Sequence, residues 1–127
     1  MIRSLDGVNI SVSKASFKKL FEFYRDTVGL KVDFEGEMGK GEDVAGLKIG
    51  KDNLYLITHS KIKGKNKEPQ RFWINIEVDD IKKEVARLKK AKVKLVAPIY
   101  HVEEYGWVAT FADPDANYFQ IVQVRAN

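Results

Sequence analysis

The chain of 127 residues has no cysteine, only three prolines and only two histidines. Without cysteine there is no disulfide, no thiolate nucleophile and no thiolate metal site, and the composition fits a cytoplasmic protein. His59 ends a predicted strand and His101 falls in a predicted loop, so both read as surface or hydrogen-bonded side chains rather than metal ligands. No apolar run approaches the roughly 20 residues of a membrane span, and the first residues lack a secretory pattern, so no membrane partner is expected. A Gly-Lys-Thr phosphate loop and a dinucleotide fingerprint are missing, and no serine–histidine–acid arrangement can be assigned. Nor is there a large excess of one charge: 22 Lys and Arg stand against 18 Asp and Glu, a net +4. Lys61, Lys63, Lys65, Lys67 and the lysines around Leu88 have no interleaved aromatics. They read as a solvated loop and an outer helix face, not as a nucleic-acid surface.

What is present is alternation. Val8, Ile10 and Val12 alternate with Gly7, Asn9 and Ser11, which predicts a half-buried strand over residues 7–12. Ser13 or Ser16 caps a helix carrying Phe17, Leu20, Phe21 and Tyr24, and Gly29 ends it. Short strands are predicted over 31–35, 44–49 and 53–58, with a hairpin across Gly50-Lys51-Asp52. After a polar stretch the order repeats. Phe72, Ile74, Ile76 and Val78 alternate with Arg71, Trp73, Asn75 and Glu77, and Asp79 or Asp80 caps a helix with Ile81, Val85 and Leu88. A strand over 94–97 stops at Pro98, and strands over 107–111 and 118–124 flank the turn Asp113-Pro114-Asp115-Ala116-Asn117.

Residues 8–12 lie over 74–78, and residues 53–56 over 118–121, in element order and apolar pattern. The fold class read from this is α+β: two βαβββ modules in one chain, with curled mixed sheets around a concave pocket. Module 1 covers about 1–60, a linker about 59–70, and module 2 about 71–127. Strand parity sends the even positions of each first strand beneath the helices. Left on the opposite face are Asn9, Ser11, Tyr55, Trp73, Asn75, Glu77, Tyr118 and Gln120, with Gly7, Asn53, Ile57 and Val122. That mixture suits a pocket with apolar walls and a few placed polar groups.

Four segments, Gly7-Val8-Asn9-Ile10-Ser11-Val12-Ser13, Phe23-Tyr24-Arg25-Asp26-Thr27-Val28-Gly29-Leu30, Ile76-Glu77-Val78-Asp79-Asp80-Ile81 and Asp113-Pro114-Asp115-Ala116-Asn117, together resemble the vicinal oxygen chelate superfamily. That superfamily includes glyoxalases, bleomycin-resistance proteins and extradiol dioxygenases. The resemblance implies paired βαβββ modules forming one glyoxalase-like domain over 1–127, assembled as a homodimer. In enzymes of the family, four positions hold a divalent metal, and these map onto Gly7, Tyr55, Trp73 and Gln120. Only Gln120 offers a usable oxygen, and one neutral oxygen does not hold a divalent cation against water. No cofactor is therefore expected.

The expectation is a metal-free protein that binds a small aromatic or planar molecule. Tyr55, Trp73, Trp107, Tyr118 and Tyr105 would supply stacking surfaces, and Asn9, Ser11, Asn75, Glu77 and Gln120 orienting hydrogen bonds. The alternative is a lyase, isomerase or dioxygenase of the same superfamily, with an atypical metal site or with Glu77 as an acid–base group. A structural pairing of Glu77 with Arg71 competes with that role.

Overall fold

The apolar alternation forms strands where it is expected and extends several of them. In the computed structural model, which describes residues 1–39 and 41–124, the first unit runs β1 (Gly7–Val12), α1 (Lys14–Glu22), a π-helical turn (Phe23–Val28), β2 (Lys31–Glu37), β3 (Asp43–Ile49) and β4 (Asp52–Thr58). The second has a 3-10 turn (Pro69–Arg71), β5 (Ile74–Glu77), α2 (Ile81–Lys90), β6 (Lys94–Val102), β7 (Gly106–Ala112) and β8 (Tyr118–Val124). The strand orders are β1-β4-β3-β2 and β5-β8-β7-β6. In each sheet the first strand pairs parallel with the last, and the remaining pairs are antiparallel. Contacts divide the chain into Met1–Gly64 and Lys65 onwards, so each βαβββ module is a compact unit with its own sheet and helix. No helix among the described residues is long and apolar enough to cross a membrane.

Local chemistry sets the boundaries. Ser13, in extended conformation, caps α1 by accepting from Ser16 N, so Ser16 is a first-turn residue and not the cap. Gly29, at φ 94°, closes the π-helical turn in the left-handed region. Gly50, at φ 59°, opens the two-residue turn between Ile49 and Asp52, whose pairing fixes the β3–β4 register. Asp80 caps α2, accepting from Lys83 N at 3.1 Å.

Each helix covers one face of its own sheet. Ile10, Val12, Leu54 and Leu56 are buried with Leu20 and Phe21 of α1. Ile76, Phe119 and Ile121 are buried with Ile81, Val85 and Leu88 of α2. Phe111 and Phe119 are register partners whose rings stack at 5.9 Å. Each fully buried Leu or Phe contributes about 1.5–3 kcal/mol relative to exposure.

Two strand expectations are corrected. The strand over 94–97 does not stop at Pro98; β6 continues to Val102. As the outer strand of its sheet, β6 has one unpaired edge, and register irregularities lie between Leu95 and Ala97 and between Ala97 and Tyr100. An edge strand with a bulge tolerates the missing proline N–H. His101 is consequently a strand residue paired with Trp107, not a loop residue. The alternation read from Arg71 forward also starts late: β5 begins at Ile74, after the 3-10 turn that Pro69 opens.

Candidate functional site

Two sheet faces turn away from the helices, and each carries part of the predicted set. On the second sheet the register places Gln120 of β8 between Asn75 of β5 and Thr110 of β7. The Thr110 hydroxyl donates to Gln120 Oε1 at 3.1 Å, Gln120 Nε2 donates to Asn75 Oδ1 at 2.9 Å, and Asn75 Nδ2 donates to Tyr105 Oη at 3.5 Å. This chain runs from a buried hydroxyl to the exposed Tyr105 and orients both amides. Trp73 sits just before β5, where its indole N–H donates to the Gln70 carbonyl at 2.8 Å. Its ring meets Tyr118 edge-on at 5.8 Å and remains 39% exposed. The result is an aromatic rim beside a polar wire, with the buried Val122 next to them in β8.

Glu77 lies on this face and is exposed. The burial that would prepare it for acid–base work is missing, and the competing alternative, a pairing with Arg71, is not made either. Arg71 instead meets Glu68 at 3.3 Å, three residues back, where the 3-10 turn brings them together.

On the first sheet Tyr55 stands between Asn9 of β1 and Gly46 of β3. Phe34 of β2 leans across Gly46 until its ring is 6.0 Å from that of Tyr55. A Cβ on Gly46 would lie 2.9 Å from Phe34 Cδ1, so the glycine is what admits the ring. Tyr55 Oη donates to Asp6 Oδ2 at 2.7 Å, while Asn53 Nδ2 reaches Asp33 Oδ2 at 3.1 Å and Tyr55 Oη at 3.3 Å. Donation to the Asp6 carboxylate raises the Tyr55 pKa above its ordinary value, since the neutral phenol is the form that bond favours. Asn53 Oδ1 is buried without a partner. Asn9 and Ser11 are exposed on the same face. Gly7 has no room for a side chain: a Cβ there would collide with the Asn53 carbonyl oxygen and lie 2.7 Å from Tyr55 Cε2.

Trp107 does not join either group. It pairs with Gln123, one residue out of phase with the Thr110–Gln120 pair, so it lies on the helix face of the second sheet. Its ring packs against His101 at 4.7 Å. Strand parity applied to β7 would have placed it there, and would have put Thr110 on the opposite face, though without its register with Gln120. Asp6, Asp33 and Phe34 carried no motif; only the folded register reveals them. Asp113 and Asp115 are explained by the turn, because Asp113 Oδ1 accepts from Asp115 N at 2.8 Å and Asn117 N at 2.9 Å. Among the described residues no three His, Asp or Glu side chains form a group able to hold a metal ion.

The family model of the Glyoxalase/Bleomycin resistance protein/Dioxygenase superfamily matches residues 8–121. A search of curated proteins found no match. Among solved structures, a glyoxalase family protein from Bacillus anthracis superimposes with a TM-score of 0.81 at 16% identity, covering 98% of both chains. TnmS3, an antibiotic binding protein from Streptomyces sp. CB03234, gives 0.73 at 20% identity over 98% of both chains. The fosfomycin resistance protein FosX from Listeria monocytogenes gives 0.70 at 14% identity, over 98% of this chain and 94% of that one. At these identities the likeness is one of fold.

Proposed function

Because the chain belongs to the Glyoxalase/Bleomycin resistance protein/Dioxygenase superfamily, we propose that it is a metal-free member that binds a small planar or aromatic molecule on the sheet faces turned from the helices. The observation that carries this reading is the state of the four positions that the resemblance assigns to metal ligands. Gly7 lacks space for any side chain. The Tyr55 hydroxyl is engaged by Asp6, the Trp73 N–H by the Gln70 carbonyl, and the Gln120 oxygen by Thr110. That donor set does not fit a divalent cation, which needs several carboxylate or imidazole ligands. What the faces offer instead is aromatic area and oriented amides, the ingredients of an organic-ligand site. Antibiotic binding by TnmS3, which shares the fold, supports the same class of role. The proposal extends to a cytoplasmic homodimer with a small-molecule ligand.

The test uses 7-hydroxycoumarin as a planar probe and the indole N–H resonances of Trp73 and Trp107, the chain's two tryptophans. Saturable movement of the Trp73 signal, weakened about tenfold or more by Gln120→Ala, is the expected result. Retention of about one Mn²⁺, Fe²⁺, Ni²⁺ or Zn²⁺ per chain after buffer exchange would overturn the metal-free reading.

A further inference from the structure

We propose that the helix side of the second unit carries a separate binding site, for a small organic cation with an apolar body. Along β7, Trp107, Ala109 and Phe111 share the helix face, opposite Gln123, Ile121 and Phe119. Ala109 and Phe111 are fully covered, but α2 begins at Ile81, whose N–H donates to Gln123 Oε1 at 2.9 Å. Trp107 therefore stands where the helix cover ends, and it is 46% exposed. The His101 ring holds the indole from the β6 side.

Between Trp107, Ile99 and Ile81 lies a cavity of about 470 Å³, within the range of small-molecule sites. Its polar lining comes from Gln123, Asp79, Asp80 and Lys82. Three of the first four N–H groups of α2 are already served: Gln123 takes that of Ile81, and Asp80 takes those of Lys83 and Glu84. Asp79 takes no part in the capping and has no hydrogen-bond or ion-pair partner among the described residues. It is exposed and lines the cavity. Lys82 lines the same cavity and is exposed, so two carboxylates face one ammonium there. Glu103 and Glu104 lie in the turn that follows the next pair, Val102–Gly106, and add negative charge at the same end of the sheet. A half-open indole beside an unpaired carboxylate is the arrangement that recognises an ammonium group, through the ring quadrupole and the ion pair together.

Titration of the ¹⁵N-labelled chain with benzyltrimethylammonium tests this, with benzyl alcohol as the neutral control. The Trp107 indole resonance is expected to move saturably while that of Trp73 stays in place, and benzyl alcohol is expected to bind about tenfold or more weakly. Asp79→Asn, an exposed and nearly isosteric change, is expected to weaken binding several-fold, and Trp107→Leu, read at the Gln123 amide resonances, to abolish it. Equal binding of the alcohol, or an unaltered affinity in Asp79→Asn, would overturn the cationic assignment. Movement of Trp73 in place of Trp107 would overturn the site itself. Neither result bears on the coumarin test, which is read at Trp73.

Discussion

Gly7 is the residue where packing and function are hardest to separate. Its missing Cβ lets β1 approach the Tyr55 ring and the Asn53 carbonyl of β4. Gly7→Ala is expected to destabilise the chain by about 1–3 kcal/mol, because backbone and a packed ring must both yield. A thermal midpoint equal to that of the parent would show the contact to be slack. The same crowding means that a histidine introduced at this position would not restore a metal ligand without opening the β1–β4 pair. Tyr55 supplies a second prediction. Its folded pKa is raised above the ordinary 10.0 by donation to Asp6. A proton held more tightly in the fold contributes stability that is complete below pH 10 and is lost as pH rises through the folded value. Difference titration of phenolate absorbance against Tyr55→Phe should reveal a late-ionising phenol. Asp6→Asn should bring it back toward 10, and a phenol that ionises at the ordinary value in the parent would refute the assignment.

At the scale of elements, α2 shows how much rests on one cap. Asp80 accepts from Lys83 N, and the last turn carries Arg87, Lys89 and Lys90, so acid at the start and base at the end both complement the helix dipole. Asp80→Ala is expected to cost about 1 kcal/mol, a drop of a few degrees in the thermal midpoint. An unchanged midpoint would mean that Gln123 alone secures the helix start. The strands are less legible from local signals. Pro98 reads as a stop, yet β6 runs on for four more residues, because an outer strand with irregular register tolerates it. Trp73 reads as a strand residue by alternation, yet Pro69 opens a 3-10 turn that delays β5, and the indole bonds to that turn.

For the whole molecule, the proposed ligand site predicts a linked gain in stability. At a free 7-hydroxycoumarin concentration of 100 times its dissociation constant, the folded state should gain about 2.7 kcal/mol. Differential scanning calorimetry should record a rise of several degrees. No rise at that concentration would sink the reading of a site on the faces turned from the helices, whereas a rise cut to about half or less in Gln120→Ala would localise it. With no cysteine in the chain, the midpoint is free of thiol–disulfide effects.

Much of the architecture was determined by sequence alone. The two copies of the strand–helix–strand–strand–strand order, the helix starts to within a choice of Ser13 or Ser16 and of Asp79 or Asp80, the Gly29 stop and the Asp113–Asn117 turn all follow from local rules: side-chain period, capping and turn chemistry act over a few residues. Parity likewise assigned Asn9, Tyr55, Asn75, Tyr118 and Gln120 to faces opposite the helices. What the tertiary structure alone decided is which side chains meet. The Thr110–Gln120–Asn75–Tyr105 wire, the Asp6–Tyr55 bond across 49 positions, the closing of Gly7 against β4 and the place of Trp107 beyond the edge of α2 depend on strand register and on where a helix ends over a sheet. Those are set by the packing of distant segments against one another, and no local pattern encodes them.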